Sequence, residues 1–512
     1  MARRAGAVTG PIAAGGVFAL ILAALLAVMS RADWPVTIGA ADWSVLRFTI
    51  WQAFLSAVFS VLFAIPVARA LARRRFPGRG ALVTLLGAPF ILPVIVAVLG
   101  ILAVFGRAGW VSDGFALLGL PPMSIYGLQG VVLAHVFFNM PLATRLILQG
   151  WQSIPAEQFR MVGQLGLSPR MVFRVIEWPI LRQVAPGAFA LIFVICLTSF
   201  AVALTLGGGP RATTIELAIY QAFRFDFDLG RAAVLSLLQL VVAGGAAVLA
   251  LWILPPLALQ TGRDRVVRRW DAPSPVLDAG WIIVAAGFLL LPLLAVAISG
   301  MVGLWQMPLS VLTATWTSFW VAVVSTVVLL TMALPIAAWL AQSRHGGAEA
   351  VTLLGLAASP LMIGTGWFIL IYPFAAPVTY ALPVTALVNA MMALPFAVRI
   401  LLPPMRQVFT DYGRLSAGLG LHGFALWRIM LVPRLRPQIG FAAGLGAAMS
   451  VGDLGVVTLF ADPDVATLPL QMYRLMGSYR TEAASGAALV LLALAFGMFW
   501  ICDAWGRRHV ER

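Results

Sequence analysis

Ser153-Ile-Pro-Ala-Glu157-Gln-Phe-Arg160-Met-Val-Gly-Gln-Leu-Gly166-Leu-Ser-Pro-Arg-Met-Val-Phe-Arg-Val-Ile176-Glu-Trp-Pro179 decides how this chain is built, because it occurs twice. The second copy runs from Gln407 through Asp411, Tyr412, Arg414, Gly420, Trp427 and Met430 to Pro433. One offset of 254 superposes Pro141 on Pro395, Arg145 on Arg399, Gly166 on Gly420, Pro179 on Pro433 and Arg182 on Arg436. Five matches at a single spacing mark a duplication, and a duplication fixes the architecture before any local reading does.

What was duplicated follows from composition. Of 512 residues 61% are apolar and 10% charged, with a mean hydropathy of +0.97. Apolar runs of 18 or more residues read as membrane-spanning helices. Such runs fall near 11–29, 46–70, 81–105, 125–148, 184–206, 231–254, 278–300, 313–341, 350–372, 378–402, 437–460 and 484–503. The first, behind Met-Ala-Arg-Arg, has no small-x-small cleavage site after it and is read as a retained helix. The sequence therefore predicts an all-α membrane protein of twelve transmembrane helices, arranged as two parallel six-helix repeats. Residues 1–254 form the first half, 255–276 a cytoplasmic linker and 277–512 the second half.

Arginine supports this order. With the N-terminus inside, loops and helix ends assigned to the cytoplasm carry 26 arginines and those outside carry 8, as the positive-inside rule requires. Both termini are then cytoplasmic. Two copies of six spans share one topology and are related by an axis along the membrane normal. Upstream of the loops the offset is larger: 269 for Trp51 with Trp320 and Pro66 with Pro335, and 271 for Pro89 with Pro360. About 17 extra residues are expected in the first half, between Gly106 and Tyr126.

All 34 basic residues are arginine. A chain without lysine has no Walker A loop, no Schiff-base catalyst and no Ser-Lys dyad, so any ATP that drives it is bound by another chain. The net charge of +15 is read as cytoplasmic loop charge, not as a nucleic-acid surface. Cys196 and Cys502 lie in apolar runs and read as packing residues. His135, His345, His422 and His509 show no ligand spacing, and no metal site is expected.

Each repeated loop, 151–180 and 404–434, lies between the fourth and fifth spans of its half, on the arginine-rich side. In the second, Val408, Tyr412, Leu415 and Leu419 form one apolar stripe on a short helix; the first keeps Ile154, Met161 and Leu165 but places Gln158 in the stripe. Gly166 and Gly420 permit a sharp turn. A second apolar patch follows, Val172, Phe173, Val175 and Ile176 in one copy and Leu426, Trp427, Ile429 and Met430 in the other. Pro179 and Pro433 are expected to stop that helix before the next span. An apolar helix-turn-helix held out from the membrane suits a groove on a partner, or lipid headgroups. Two copies favour a partner with two equivalent faces.

A glycine, nine residues, then Ile-Glu-Trp-Pro179 or Met-Leu-Val-Pro433 resembles the EAA loop of ABC-transporter permeases of the binding-protein-dependent importer superfamily. The name-giving Glu-Ala-Ala is replaced by Arg160-Met161-Val162 and Arg414-Leu415-Ser416, with Glu157 and Asp411 nearby. Longer stretches, Phe138-Asn139-Met140-Pro141, Leu206-Gly207-Gly208-Gly209-Pro210 through Glu216 to Tyr220, Val451-Gly-Asp453 and Gly477-Ser-Tyr479-Arg480, are similar to the fused two-half thiamine and thiamine-pyrophosphate permeases. Ferric-iron permeases of the same superfamily are the nearest confusable group. The resemblance implies a type I (MetI-like) fold in the bacterial inner membrane. It implies two copies of a cytoplasmic ATPase subunit seated on the loops, with ATP and Mg bound there and no cofactor on this chain. It also implies a periplasmic substrate-binding protein.

Intramembrane polar groups are costly and are default functional candidates. Asp453, between Gly452 and Gly455 in the eleventh span, is the best acidic candidate for the substrate path, with Asn139 beside Pro141 a second. Gly207, Gly208 and Gly209 break the fifth span at its outer end, as a gate or a plain turn. An ion-driven secondary transporter, the rival reading, expects buried acids at matching positions of both halves, yet Asp453 matches Ser199. A membrane-embedded enzyme expects a clustered His, Cys or carboxylate set, which the sequence does not display.

Overall fold

Every regular element described is a helix, the arrangement that satisfies backbone donors and acceptors in lipid without a closed barrel. The computed structural model describes residues 9–32, 39–87, 91–207, 209, 212–253, 275–343, 359–460 and 466–507. In chain order the helices are α1 (Thr9–Arg31), α2 (Ala40–Arg73), α3 (Arg79–Leu85), α4 (Val94–Phe105), α5 (Trp110–Leu117), α6 (Leu128–Gln152), α7 (Ala156–Gln164), α8 (Pro169–Val172), α9 (Trp178–Leu197), α10 (Ala201–Leu206), α11 (Ile215–Arg224) and α12 (Leu229–Ile253). There follow α13 (Pro275–Gly303), α14 (Leu309–Gln342), α15 (Pro360–Ile371), α16 (Ala381–Gly418), α17 (Gly423–Leu426), α18 (Val432–Val451), α19 (Gly455–Leu459), α20 (Leu468–Gly477) and α21 (Thr481–Arg507). Most of the expected linker, 255–274, lies outside the described residues, and residues 275–276 already belong to α13.

Among the described residues eleven helical stretches are long and apolar enough to cross a membrane. α15, within the run expected over 350–372, has 12 residues, and the start of that run is outside the described residues. Three expected spans are interrupted. The run at 81–105 divides into α3 and α4, and 184–206 divides at Thr198–Phe200 into α9 and α10. The run at 437–460 divides in the same way at Gly452–Leu454. Hydropathy does not register these breaks because the residues on both sides of each remain apolar.

The packing exchanges the first helix of each half. α1 lies on α14 and α15, whereas α13 lies on α2 and α4. Glycine makes both close approaches: a Cβ at Gly366 of α15 would strike the Ala24 backbone of α1, and one at Gly100 of α4 would strike the Pro292 backbone of α13. Gly100 and Gly366 stand 266 apart, as do the N-caps Pro93 and Ser359. The helices are therefore in a register of 266, not the 271 drawn from the nearby prolines. The extra residues of the first half include α5, opposite a short 3-10 turn at Pro377–Tyr380 in the second.

Candidate functional site

The two loops close with the same hydrogen bonds. In the first, the Leu167 N–H donates to Val162 O (3.3 Å) and the Gly166 N–H to Gly163 O (3.4 Å). In the second, the Leu421 N–H donates to Ser416 O (2.9 Å) and the Gly420 N–H to Ala417 O (3.1 Å). This is the Schellman pattern, which needs a left-handed residue just past the helix. Gly166 and Gly420 supply it, with φ of 61° and 66°.

The predicted apolar stripes divide between two jobs. Ile154 and Val408 are buried against the bundle, while Met161 and Leu165 are 59% and 68% exposed and Leu415 and Leu419 are 59% and 66% exposed. The second patch divides likewise: Val172, Ile176, Leu426 and Met430 are buried, and Val175 and Ile429 face out. Each loop thus offers a matched apolar knob. Around it Glu157, Arg160, Asp411 and Arg414 are exposed. Large side chains exposed together on a turn are candidates for an interaction surface.

Three expectations about these loops are corrected. The second copy is not a separate short helix, because α16 runs unbroken from its span through Pro395, Pro403 and Pro404 to Gly418. Nor do Pro179 and Pro433 stop a helix. Single π-turns, Phe173–Glu177 and Trp427–Leu431, carry α8 into α9 and α17 into α18, with each proline in the first turn of the helix that follows. Tyr412, counted in the apolar stripe, is turned to the start of α18, where the Arg434 guanidinium lies 3.5 Å above its ring.

Glu177 is a buried charge the sequence reading passed over. Its side chain is fully buried and paired with Arg69 Nε (2.7 Å) and Arg73 Nη2 (3.3 Å) on α2. The available signal was that a glutamate stands where the second copy has Leu431.

In the membrane interior, each half buries a polar cluster at corresponding positions. In the first, His135 Nδ1 lies 3.1 Å from Ser56 Oγ, and Asn139 Nδ2 donates to His135 O (2.9 Å) and Cys196 Sγ (3.4 Å). Asn139 therefore ties α6 to α9. In the second, Asn389 takes the place of His135 and Ser450 that of Cys196, and Asn389 Nδ2 donates to Ser450 Oγ (3.1 Å). Asp453 lies in the break between α18 and α19. Its Oδ1 accepts from the Gly455 N–H (3.1 Å), and its buried Oδ2 has no hydrogen-bond partner among the described residues.

One aromatic ring of the first half approaches the residues beside this acid, and further rings pack with one another. Phe200 borders Gly455 and stacks edge-on with Tyr220 at 5.3 Å. Phe223 meets Phe368 at 4.6 Å, and Phe368 meets Phe460 at 5.5 Å. Gly207 is buried at the end of α10, Gly209 is exposed with φ of 125°, and Gly208 lies outside the described residues. A groove of about 570 Å³ between α2, α6 and α13 is a different place. Phe59, Phe63, Val132, Val136, Trp281 and Phe288 line it, and its lining is nearly all carbon. It offers an organic cation no carboxylate.

Known proteins match most of this chain. No family model matches it. It is 41% identical to the thiamine transport system permease protein ThiP of Escherichia coli (strain K12), over 97% of this chain and 96% of the relative. It is 40% identical to ThiP of Brucella abortus (strain 2308), over 97% and 95%, and 33% identical to ThiP of Haemophilus influenzae, over 89% and 87%. By contrast, the sulfate transport system permease protein CysW of a Synechocystis strain is 26% identical and covers 39% of this chain. Identity of 33% to 41% sustained across both halves places this chain in the family of thiamine transport system permease proteins.

Proposed function

We infer that this chain is the inner-membrane permease of an ATP-driven importer that carries thiamine, thiamine pyrophosphate or both. The observation that carries this reading is the pair of matched apolar knobs on a chain whose full-length relatives are thiamine permeases. Two ATPase subunits, binding ATP and Mg, sit on loops 151–180 and 404–434, and a periplasmic binding protein delivers substrate at the opposite face. Twelve spans in two parallel sets of six, with both termini cytoplasmic, put the knobs where the ATPases are. Closure of the ATPase pair pushes on both knobs, and the halves rock about the path between them. The chain itself makes and breaks no bonds.

Within the path, Asp453 and the rings of Phe200 and Tyr220 suit a flat organic cation, since ring faces attract positive charge and a carboxylate in a water-poor interior attracts it more strongly still. Thiamine carries that cation, and its pyrophosphate adds negative charge. The test is reconstitution of the chain with its ATPase and binding protein in liposomes. Thiamine-stimulated ATP hydrolysis and ATP-dependent uptake are expected. Uptake driven by a proton or sodium gradient alone, without the ATPase, would overturn the reading.

A further inference from the structure

The ion pairs of Glu177 extend across the molecule. Arg73 Nη1 lies 3.9 Å from Asp278 Oδ1, and Arg74 Nε lies 2.7 Å from Asp278 Oδ2. Asp278 is in the first turn of α13, the first helix of the second half, which packs on the first half. The chain of charges therefore runs from the end of the first loop, through α2, to a helix that belongs to the other half. The side chains of Glu177 and Arg73 are almost wholly removed from solvent. Arg69 also lies over the ring of Phe173, 4.8 Å away, inside the same π-turn.

Among the described residues the second half shows no corresponding ion pair. The offset of 269 places Ala338 and Gln342 where α2 has Arg69 and Arg73, and 254 places Leu431 where Glu177 stands. Leu431 is fully buried, and Gln342 Nε2 donates within its own helix, to Ala338 O (2.9 Å). Gly10 of α1 is seated against Pro335 and Trp339 of α14. The first loop is thus joined to the bundle by buried charge, and at the place of Glu177 the second loop has an apolar side chain.

We propose that Glu177 is a positioning residue that locks the first loop, α2 and α13 into one moving unit, so that force on that loop reaches both halves. The physical basis is the asymmetry of buried ion pairs. Separating one leaves charges uncompensated in a low-dielectric interior, so the pair resists sliding. An apolar side chain such as Leu431 meets no such resistance and shifts over its neighbours at little expense. This inference rests on the docking of ATPases at the loops.

The experiment uses the complete complex in liposomes and reads three quantities: ATPase co-purification, ATP hydrolysis, and substrate moved per ATP. Glu177→Gln is expected to keep the ATPase bound, since Glu177 is not on the exposed knob, and to lower substrate moved per ATP on the order of tenfold, within the usual span of coupling energies. A triple variant, Arg69→Ala with Arg73→Gln and Glu177→Leu, gives the first half the second half's own residues. It answers the possibility that Glu177→Gln fails to fold, because well-packed apolar replacement of a buried pair is commonly tolerated. That variant is expected to assemble and still to couple poorly. If it or Glu177→Gln assembles and moves substrate per ATP as the unaltered chain does, the lock is overturned while docking stands. If the unaltered chain fails to retain the ATPase, docking falls and the lock with it.

Discussion

Leu165 and Leu419, 254 residues apart, occupy the same position on two turns closed by the same hydrogen bonds, and both present most of their side chain to solvent. A duplicated backbone turn is ordinary in a duplicated chain. Two large apolar side chains left uncovered on each turn, one of them at the capping position, call for a partner. Leu165→Asp and Leu419→Asp are each expected to weaken ATPase retention by at least about tenfold, since a carboxylate desolvated in an apolar cleft loses several kcal/mol. The two changes together are expected to abolish it. Quantitative co-purification from detergent is the check. Undiminished retention in the double variant would locate the contact elsewhere.

The turn itself is testable at Gly420. Its φ of 66° costs an ordinary L-residue about 1–2 kcal/mol, and a Cβ there meets nothing within 4 Å. Strain is the backbone's, not a clash. Gly420→Asn, whose side chain tolerates the left-handed region, is expected to retain most ATP-dependent uptake. Gly420→Arg adds strain and a charge beside Leu419 and is expected to abolish uptake with the protein still in the membrane. Uptake assays on membranes matched by immunoblot separate the two.

Much of this was legible beforehand, and what was not has physical reasons. The repeat showed at Gly166, Gly420 and the following prolines because backbone geometry tolerates few substitutes there. Breaks at Thr198–Phe200 and Gly452–Leu454 did not, since an apolar run reads the same whether its helix is continuous or interrupted. The exchange of α1 and α13 was hidden for another reason: a repeat establishes which helices correspond, not which copy each one packs on. Glu177 escaped notice because a lone glutamate in a cytoplasmic loop is normally solvated, and only the approach of Arg69 and Arg73 makes its burial tolerable. Asp453 stands out in sequence and in space alike, but the sequence assigned it to a helix where the structure has a break.

Asp453→Asn keeps a group able to accept the Gly455 N–H and removes the charge. If the carboxylate meets the substrate's cation, the thiamine concentration needed for half-maximal ATPase stimulation is expected to rise on the order of tenfold, the usual worth of a charge-assisted contact. Thiamine pyrophosphate, which brings negative charge of its own, is expected to be affected less. Equal shifts for the two, or none, would remove Asp453 from recognition.

Glu216 makes a prediction about pH. It opens α11, between the fifth and sixth spans, and is fully buried. Ser359 and Gln239 lie beside its carboxyl, yet among the described residues neither carboxyl oxygen has a hydrogen bond of good geometry, and Gln239 Oε1 also lacks a donor. A protonated carboxyl answers both needs, since its O–H has Gln239 Oε1 to bond. Burial pushes the Glu216 pKa up to about 8 from 4.5. The folded state then binds the extra proton that the unfolded state releases above about 4.5, so stability is full below that pH and declines as pH rises toward about 8. Over that interval the loss is on the order of 5 kcal/mol at most. Thermal unfolding in detergent between pH 5 and pH 8 is expected to show a falling Tm for the unaltered chain and a flatter course for Glu216→Gln, which is neutral throughout. Parallel curves for the two would mean that Glu216 is ionised in the fold and paired with a cation.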